Sequence, residues 1–167
     1  MSLESVRAFL AAHAPDIEIL QAAGSTATVA LAAAAHGVAP GQIAKTLSLR
    51  TPQGVVLLVV AGDARLDNRK AKQVFGGKTK MLDATEVEAI TGHPVGGVCP
   101  FGVASALPVL CDETLRAWHE VIPAAGSTTT ALRISPERIA TLTNARWVDV
   151  CQEASTSFSE EKEAKRL

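Results

Sequence analysis

The loop Val95–Gly102, with the sequence VGGVCPFG, limits the possible folds of this chain more than any other segment. Three glycines and a proline within eight residues cannot continue a helix or a regular strand. The loop also carries four apolar residues, Val95, Val98, Cys99 and Phe101, so it is too apolar for a solvated connector. These two properties indicate a loop whose backbone N–H groups face a pocket and can stabilise a carbonyl or a developing oxyanion. The alternative is an ordinary packed turn.

Lys45 is the charged residue whose position is most informative. Apolar and polar residues alternate along Lys45–Arg50, and Lys45 falls on the same strand face as Leu47 and Leu49. A buried ammonium group costs free energy unless an anion or several acceptors surround it, and a ligand phosphate or carboxylate would meet that need. The pattern therefore predicts that Lys45 faces a cavity. The alternative is that it lies beyond the sheet edge and extends into water.

Hydrophobic periodicity and capping residues predict helices and strands that alternate along one domain. The apolar stretch Val55–Ala61 follows a turn and forms a central hairpin with Lys45–Arg50. The predicted helices are Leu3 to Pro15, Thr28–His36 capped by Ser25 and Thr26, Asp67 to Phe75, Ala84–Thr91 with an Asp83/Glu86 capping box, Glu113–His119 capped by Asp112, and one that starts at Ser135–Pro136. Short strands are predicted at Ile17–Ile19, Pro108–Cys111, Val121–Ala124, Thr128–Ile134 and Trp147–Val150. The sequence thus predicts a single α+β domain over residues 1–151, followed by a polar, flexible tail over residues 152–167.

Composition and residue spacing exclude several functional classes. The formal net charge is −1, so any nucleic-acid contact must come from a local patch. Cys99, Cys111 and Cys151 have no CxxC spacing and the four histidines have no HExxH-like spacing, so we expect no metal, cofactor or disulfide. The N-terminus does not read as a signal peptide, and the longest apolar run, Val55–Ala61, is too short to span a membrane. We therefore expect a soluble, cytoplasmic protein that binds neither membranes nor DNA.

One stretch carries a strong charge of a single sign. Between residues 65 and 80, six basic residues oppose one acid, Asp67; they are Arg65, Arg69, Lys70, Lys72, Lys78 and Lys80. A few such side chains suffice to contact RNA phosphates, and we expect Arg65, Arg69, Lys70 and Lys72 to do so if RNA binds. The alternative is a solvated helix face.

Cys99 and Ser127–Thr130 are the remaining candidates for chemistry. The apolar neighbours of Cys99 would raise the pKa of its thiol, so the sequence favours a buried structural cysteine over a nucleophile. The hydroxyls of Ser127–Thr130 either bind a polar ligand or satisfy the end of a strand. Most carboxylates are accounted for by helix caps, which leaves no obvious paired-carboxylate site.

Three motifs together resemble a known family. The run Gly41–Leu47 (GQIAKTL), the loop Gly96–Gly102 (GGVCPFG) and the turn Ala125–Ser127 (AGS) occur in the order and setting of the YbaK/ProX family. Members of this family are freestanding relatives of the editing insertion in bacterial prolyl-tRNA synthetase. The resemblance spans nearly the whole of residues 1–151. It implies a mixed, mostly antiparallel, barrel-like sheet surrounded by helices, and hydrolysis of the ester that joins a wrong amino acid to tRNA.

The resemblance also implies roles for individual residues. Lys45 would engage the terminal nucleotide of the acceptor end. The backbone of Gly96, Gly97 and Pro100 would position the aminoacyl carbonyl and amine, while water attacks with help from a ribose hydroxyl. The substrate-binding residues would be Thr26, Thr46, Leu47, Val98, Cys99, Phe101, Gly102, Gly126, Ser127 and Thr129. The partners would be a mischarged aminoacyl-tRNA and, with it, an aminoacyl-tRNA synthetase.

The expected substrate carries a small amino acid, with alanine, serine, threonine and small non-protein analogues as candidates and tRNA-Pro as a candidate carrier. Two other hypotheses stay open. The first is a non-catalytic module that binds aminoacyl-tRNA or a synthetase. The second is a small-molecule hydrolase that uses Cys99 as its nucleophile.

Overall fold

The computed structural model describes residues 2–152, which form helices, strands and two 3₁₀ turns. The helices are α1 Ser2–His13, α2 Val29–His36, α3 Asn68–Phe75, α4 Ala84–Thr91 and α5 Pro136–Thr143. The strands are β1 Leu20–Gln21, β2 Ile43–Thr51, β3 Gly54–Ala61, β4 Lys80–Met81, β5 Val109–Asp112, β6 Ile122–Pro123, β7 Thr130–Ala131 and β8 Arg146–Val148. The tail predicted for residues 152–167 lies outside the described residues, apart from Gln152.

The antiparallel hairpin of β2 and β3 forms the centre of the main sheet, and its register pairs Lys45 with Val60. The strand order is β4-β2-β3-β5-β8, and β6 pairs in parallel with the start of β2. The β3–β5 and β5–β8 pairs are parallel, whereas β2–β4 is antiparallel. β1 and β7 form a second, antiparallel sheet. The predicted α+β class is confirmed, and within residues 2–152 the main sheet is open, with ends at β4 and β8.

Both faces of the main sheet are covered. Leu57 and Val59 of β3 pack into a core cluster that also contains Phe101, while Leu58 of β3 packs on the opposite face with Phe75 of α3. A strand buried on both faces has no polar side, because each successive side chain enters a core. This arrangement explains the uninterrupted apolar run of β3.

Most helix starts are where the capping residues predicted them. α3, α4 and α5 begin after Asp67, Asp83 and Ser135, whose side chains accept hydrogen bonds from the first helical N–H groups. The start of α2 corrects the prediction, since its N-cap is Thr28 rather than Ser25 or Thr26. The hydroxyl oxygen of Thr28 accepts a hydrogen bond from the Leu31 N–H at 3.1 Å. The Thr26 hydroxyl instead donates to the carbonyl of Thr128 at 3.0 Å.

The short strands are less well predicted. No strand forms at Ile17–Ile19; the ladder begins one residue later, at Leu20–Gln21, where β7 supplies its partner. Of the predicted strand Thr128–Ile134, only Thr130–Ala131 forms a strand, β7. A strand of two residues is too short to show an alternating pattern. Its position depends on the strand that it pairs with, which the local sequence does not reveal.

The helices of the described residues are short, and α1 is the longest with 12 residues. The helix predicted at Glu113–His119 is instead a 3₁₀ turn at Glu113–Ala117, capped by Asp112 as predicted. Within residues 2–152, none of the helices is long and apolar enough to cross a membrane.

Candidate active site

A cleft of about 240 Å³ opens between the start of β2, the N-terminal end of α2 and the loop Val95–Gly102. Five of the residues predicted from the sequence line it: Thr26, Lys45, Thr46, Gly96 and Val98. These residues come from three segments that are distant along the chain. Folding therefore places the predicted lysine and the predicted glycine loop on the walls of one cleft.

Lys45 is half-buried, and its ammonium group is held by backbone oxygens. Its Nζ donates hydrogen bonds to the carbonyls of Ala64 at 2.8 Å and Gly62 at 3.2 Å. Burial lowers the pKa of Lys45 from its usual value, while Cys151 and Asp63 act in the opposite direction. An ammonium group has three N–H donors, so these two bonds leave one donor for a ligand anion.

The glycines of the loop fit where a side chain does not. Gly96 has a φ of +89°, and a Cβ atom there would lie 2.8 Å from the Cβ of Ala27, which also lines the cleft. A Cβ atom on Gly97 would lie 2.8 Å from the backbone of Ser127. Gly97 also accepts a hydrogen bond from the Gly126 N–H at 3.0 Å. The loop is therefore packed against Ala27, just before α2, and against the Gly126 turn.

Two backbone N–H groups of the loop are available to a ligand. The N–H of Gly97 donates to the carbonyl of Pro94 at 2.9 Å. Among residues 2–152, the N–H groups of Gly96 and Val98 have no protein acceptor, and both residues line the cleft. Fixed, unpaired donors of this kind are the groups that stabilise a carbonyl oxygen as negative charge develops on it.

Several predicted site residues support the cleft without lining it. Cys99 and Phe101 are fully buried in the core, and Pro100 is buried between them. Gly102 packs against the backbone of Ser5, where a Cβ atom would approach the Ser5 carbonyl oxygen to 2.5 Å. Gly126, Ser127 and Thr129 likewise lie outside the lining; Gly126 packs against Ser2, and the Ser127 hydroxyl contacts that of Thr130 at 2.6 Å. These residues therefore pack around the glycine loop on the side away from the cleft.

Leu47 also lies away from the cleft. It packs against the core cluster on the face of the sheet that contains Leu58 and Phe75. The residues of β2 that line the cleft besides Lys45 include Ala44, Thr46 and Ser48, which alternate with Leu47. Sequence alternation thus placed Leu47 correctly beside Lys45, but the cleft opens mainly on the other face of β2.

The hydroxyl of Thr46 is a buried polar group of the cleft whose hydrogen-bonding capacity is unsatisfied in the described part of the chain. Its Oγ1 atom is buried and has no hydrogen-bond partner within residues 2–152. The other three threonine hydroxyls of the cleft lining are paired. Thr26 donates to the carbonyl of Thr128, Thr28 accepts from the Leu31 N–H, and Thr130 donates to the carbonyl of Ala125 at 3.2 Å. A buried hydroxyl without a partner costs free energy, which a ligand atom would recover.

The sequence analysis missed most of the apolar wall of the cleft. This wall includes Val29, Ala32, Ile43, Ile122 and Ala131, together with the exposed Met81 and Val95. Met81 and Val95 are 53% and 57% exposed, which is unusual for large apolar side chains. For β2, the sequence carried a usable signal, because the alternation of Ala44, Thr46 and Ser48 places these three cleft residues on one face of the strand. The residues from α2, β6 and β7 carry no such signal, because only tertiary assembly brings them together.

The four basic residues predicted to contact RNA lie outside the cleft lining. Arg65, Arg69 and Lys72 are exposed. Lys70 is partly buried, and its Nζ donates to Asp149 Oδ1 and to the carbonyl of Cys151, both at 3.0 Å. Lys70 is therefore engaged within the fold, whereas the other three side chains face solvent.

Comparison with known proteins identifies the family. The pattern of the "Aminoacyl-tRNA editing domain" family matches residues 23–142. The chain is 41% identical to "Uncharacterized protein YwhH" of Bacillus subtilis, over 92% of this chain and 99% of that protein. It is 31% identical to "Putative Cys-tRNA(Pro)/Cys-tRNA(Cys) deacylase EbsC" of Enterococcus faecalis, over 68% of this chain and 71% of that protein.

Longer proteins and solved structures agree with this assignment. "Proline–tRNA ligase" of Desulforamulus reducens is 30% identical over 61% of this chain, which corresponds to only 18% of the ligase. The crystal structure of "a putative trans-editing enzyme for prolyl tRNA synthetase" superimposes with a TM-score of 0.84 at 33% identity, covering 90% of this chain and 97% of that one. The chain therefore belongs to the aminoacyl-tRNA editing domain family.

Proposed function

We propose that this chain hydrolyses the ester bond of a mischarged aminoacyl-tRNA in trans and removes a small, neutral amino acid. The observation that carries the proposal is that Lys45 and the unpaired N–H of Gly96 line the same cleft. The first is suited to an anionic part of the terminal nucleotide and the second to the ester carbonyl. Because aminoacyl-tRNA is made and used in the cytoplasm, we place the reaction there.

The proposed mechanism relies on positioning. The N–H groups of Gly96 and Val98 bind the carbonyl oxygen, while Lys45 holds the acceptor end. Water adds to the carbonyl carbon, the bond from that carbon to the ribose oxygen breaks, and the proton from water goes to the departing ribose oxygen. A ribose hydroxyl of the substrate assists the water. An ester is activated enough for orientation and oxyanion stabilisation to supply much of the rate enhancement.

The cleft favours a small side chain without charge. Lys45 is the only charged residue among the described residues that line the cleft, whose volume is about 240 Å³ and whose apolar lining includes Val29, Ile43 and Ile122. Alanine, serine, threonine and small non-protein amino acids fit this description. Cysteine does as well, and the name of the Enterococcus relative, a Cys-tRNA deacylase, adds it to the candidates. tRNA-Pro is the first carrier to test, with its synthetase as a candidate partner.

A deacylation panel in which the amino acid and the tRNA are varied independently tests the proposal. We expect one or a few small aminoacyl groups to be hydrolysed well above the uncatalysed rate, and charged or large ones to be spared. If the protein binds aminoacyl-tRNA but hydrolyses none of the panel, it is a non-catalytic binding module and the proposal is wrong.

Replacement of Cys99 by alanine is expected to leave most of the deacylase activity intact. The Cys99 side chain is fully buried, and burial raises the pKa of its thiol to about 12, so the thiolate is almost absent at neutral pH. The measurement is kcat/KM on the best substrate of the panel. Loss of activity in a Cys99→Ala protein that retains its thermal stability would restore the hypothesis of a cysteine nucleophile.

Replacement of Thr46 by valine is expected to lower kcat/KM by about tenfold, since valine keeps the shape of threonine but cannot form a hydrogen bond with the substrate. Thr46→Ser is the matched control, because it keeps the hydroxyl and should lose much less. Thermal unfolding should change little or improve, since the valine removes a buried hydroxyl that has no partner within residues 2–152. Equal kcat/KM values for the valine and serine variants would contradict substrate contact by this hydroxyl.

A further inference from the structure

A second recess of the molecule, separate from the cleft, has the chemistry of a phosphate site. It has a volume of about 260 Å³ and lies between α3 and residues 78–79. Its lining consists of Asn68, Ala71, Lys72, Lys78 and Thr79. Two ammonium groups and two neutral hydrogen-bonding side chains thus surround it, and no carboxylate is among the described residues that line it.

The lysines of the recess have no ion-pair partner among residues 2–152, and neither does Lys80 beside them. Other basic side chains of this region do, since Arg50 pairs with Glu86 and Lys70 pairs with Asp149. Two cations that line one recess without an ion-pair partner attract an anion, and phosphate oxygens are suited to Lys, Asn and Thr side chains.

Helix geometry explains why Lys72 faces the recess together with Asn68 and Ala71. Asn68, Ala71 and Lys72 are separated by three and four residues, so they share one face of α3. Arg69 is absent from the lining of the recess, and Lys70 is directed to Asp149. The structure thus divides the basic stretch into residues that line a recess and residues that do not.

A short path along the edge of the sheet joins the recess to the cleft. Thr79 is followed directly by β4, an edge strand that pairs with β2 at Arg50 and Leu49. The second residue of β4, Met81, lines the cleft. Lys78 lies three residues before Met81, and even a fully extended chain spans about 3.3 Å per residue, so the backbones of the two residues lie within about 10 Å of each other. A nucleic-acid strand that leaves the cleft along β4 therefore reaches the recess within a few nucleotides.

We propose that the recess formed by Asn68, Lys72, Lys78 and Thr79 binds a backbone phosphate of the single-stranded acceptor end of the tRNA while the ester lies in the cleft. This inference rests on the proposed function and adds to it a second contact point. Of the four basic residues predicted from the sequence to contact RNA, it assigns Lys72 alone to the recess and joins Lys78 to it.

The test compares two substrates that carry the same amino acid, an aminoacyl-tRNA and an aminoacyl-adenosine, which has no backbone phosphate. Lys72→Glu combined with Lys78→Glu is expected to lower kcat/KM on the tRNA by about tenfold or more at low salt and to leave aminoacyl-adenosine hydrolysis unchanged. The steepness of the plot of log affinity for uncharged tRNA against log salt should fall by about 0.7, the value for the loss of one single-strand phosphate contact.

The matched control is Arg7→Glu combined with Arg146→Glu. It changes the net charge by the same amount, on α1 and on β8 at the opposite edge of the sheet, where both arginines are exposed. Lys72→Arg combined with Lys78→Arg keeps both positive charges and should retain the wild-type activity on tRNA. The inference is overturned if the two charge-reversed pairs lower tRNA activity and binding equally. If wild-type protein hydrolyses neither substrate, the proposed function fails instead, and the tRNA-binding arm still decides whether the recess binds phosphate.

Discussion

Replacement of Lys45 by alanine is expected to lower kcat/KM for deacylation by about 100-fold or more. The cleft contains one ammonium group among its described residues, and its remaining N–H donor is the group best placed to hold the negatively charged acceptor end. Without it the ester loses its alignment with the N–H of Gly96, and misalignment by about 1 Å can cost 100-fold in rate. The measurement is steady-state kinetics on the best substrate of the panel.

The same lysine also has a structural role, so the stability of each variant must be measured together with its activity. Its bonds to Gly62 and Ala64 fix the end of β3, and their loss should reduce the free energy of unfolding by about 1–2 kcal/mol. Kinetics should therefore be measured well below the melting temperature of each variant. Lys45→Met, which keeps the aliphatic stem, should be nearly as inactive as the alanine variant. Arg146→Ala, at the far edge of the sheet, should behave as wild type.

A fully active Lys45→Ala protein would contradict the proposed role of this residue. An inactive variant whose loss of activity disappears on cooling would assign Lys45 a purely structural role. A folded variant that remains inactive at every temperature is the expected result.

The extent to which the fold could be predicted follows from how local each signal is. The starts of α3, α4 and α5 depend on side chains within one turn of the helix, so Asp67, Asp83 and Ser135 were sufficient. The β2–β3 hairpin depends on a short turn and on two apolar segments that adjoin it. The β1–β7 ladder instead joins segments more than 100 residues apart, as in the pairing of Leu20 with Ala131. Nothing within Ile17–Gln21 specifies that register.

The site residues likewise divide into those with a local sequence signal and those that only the folded structure reveals. Lys45 and the glycines could be predicted because a lysine in an apolar strand and glycines in an apolar loop are locally unusual. Thr46 was included on the resemblance to the family, but its lack of a partner became visible only in the folded chain. Cys99 and Phe101 were expected near the substrate because they lie within the loop, whereas their side chains enter the core behind it. In a loop packed on both sides, sequence position does not distinguish the ligand side from the core side.

Replacement of Gly96 by alanine is expected to damage both stability and activity. The residue has a φ of +89°, and its new Cβ atom would lie 2.8 Å from the Cβ and 3.1 Å from the Cα and carbonyl oxygen of Ala27. Backbone strain and overpacking together should reduce the free energy of unfolding by about 1–3 kcal/mol. Because relief of the contact moves the loop away from Ala27, the N–H of Gly96 leaves its position and kcat/KM should fall by about 100-fold.

Two further variants separate strain from steric contact. Gly37→Ala introduces a side chain at a φ of +67° with nothing within 4 Å, so it should cost stability but leave kcat/KM unchanged. Adding Ala27→Gly to Gly96→Ala removes the nearest contact atom, and it should recover part of the lost activity while the cost of the backbone strain remains. If Gly96→Ala and Gly37→Ala have equal kcat/KM values, the close approach of Ala27 does not position the loop. Partial recovery in the double variant would instead locate the effect in the distance between Ala27, which precedes α2, and the glycine loop.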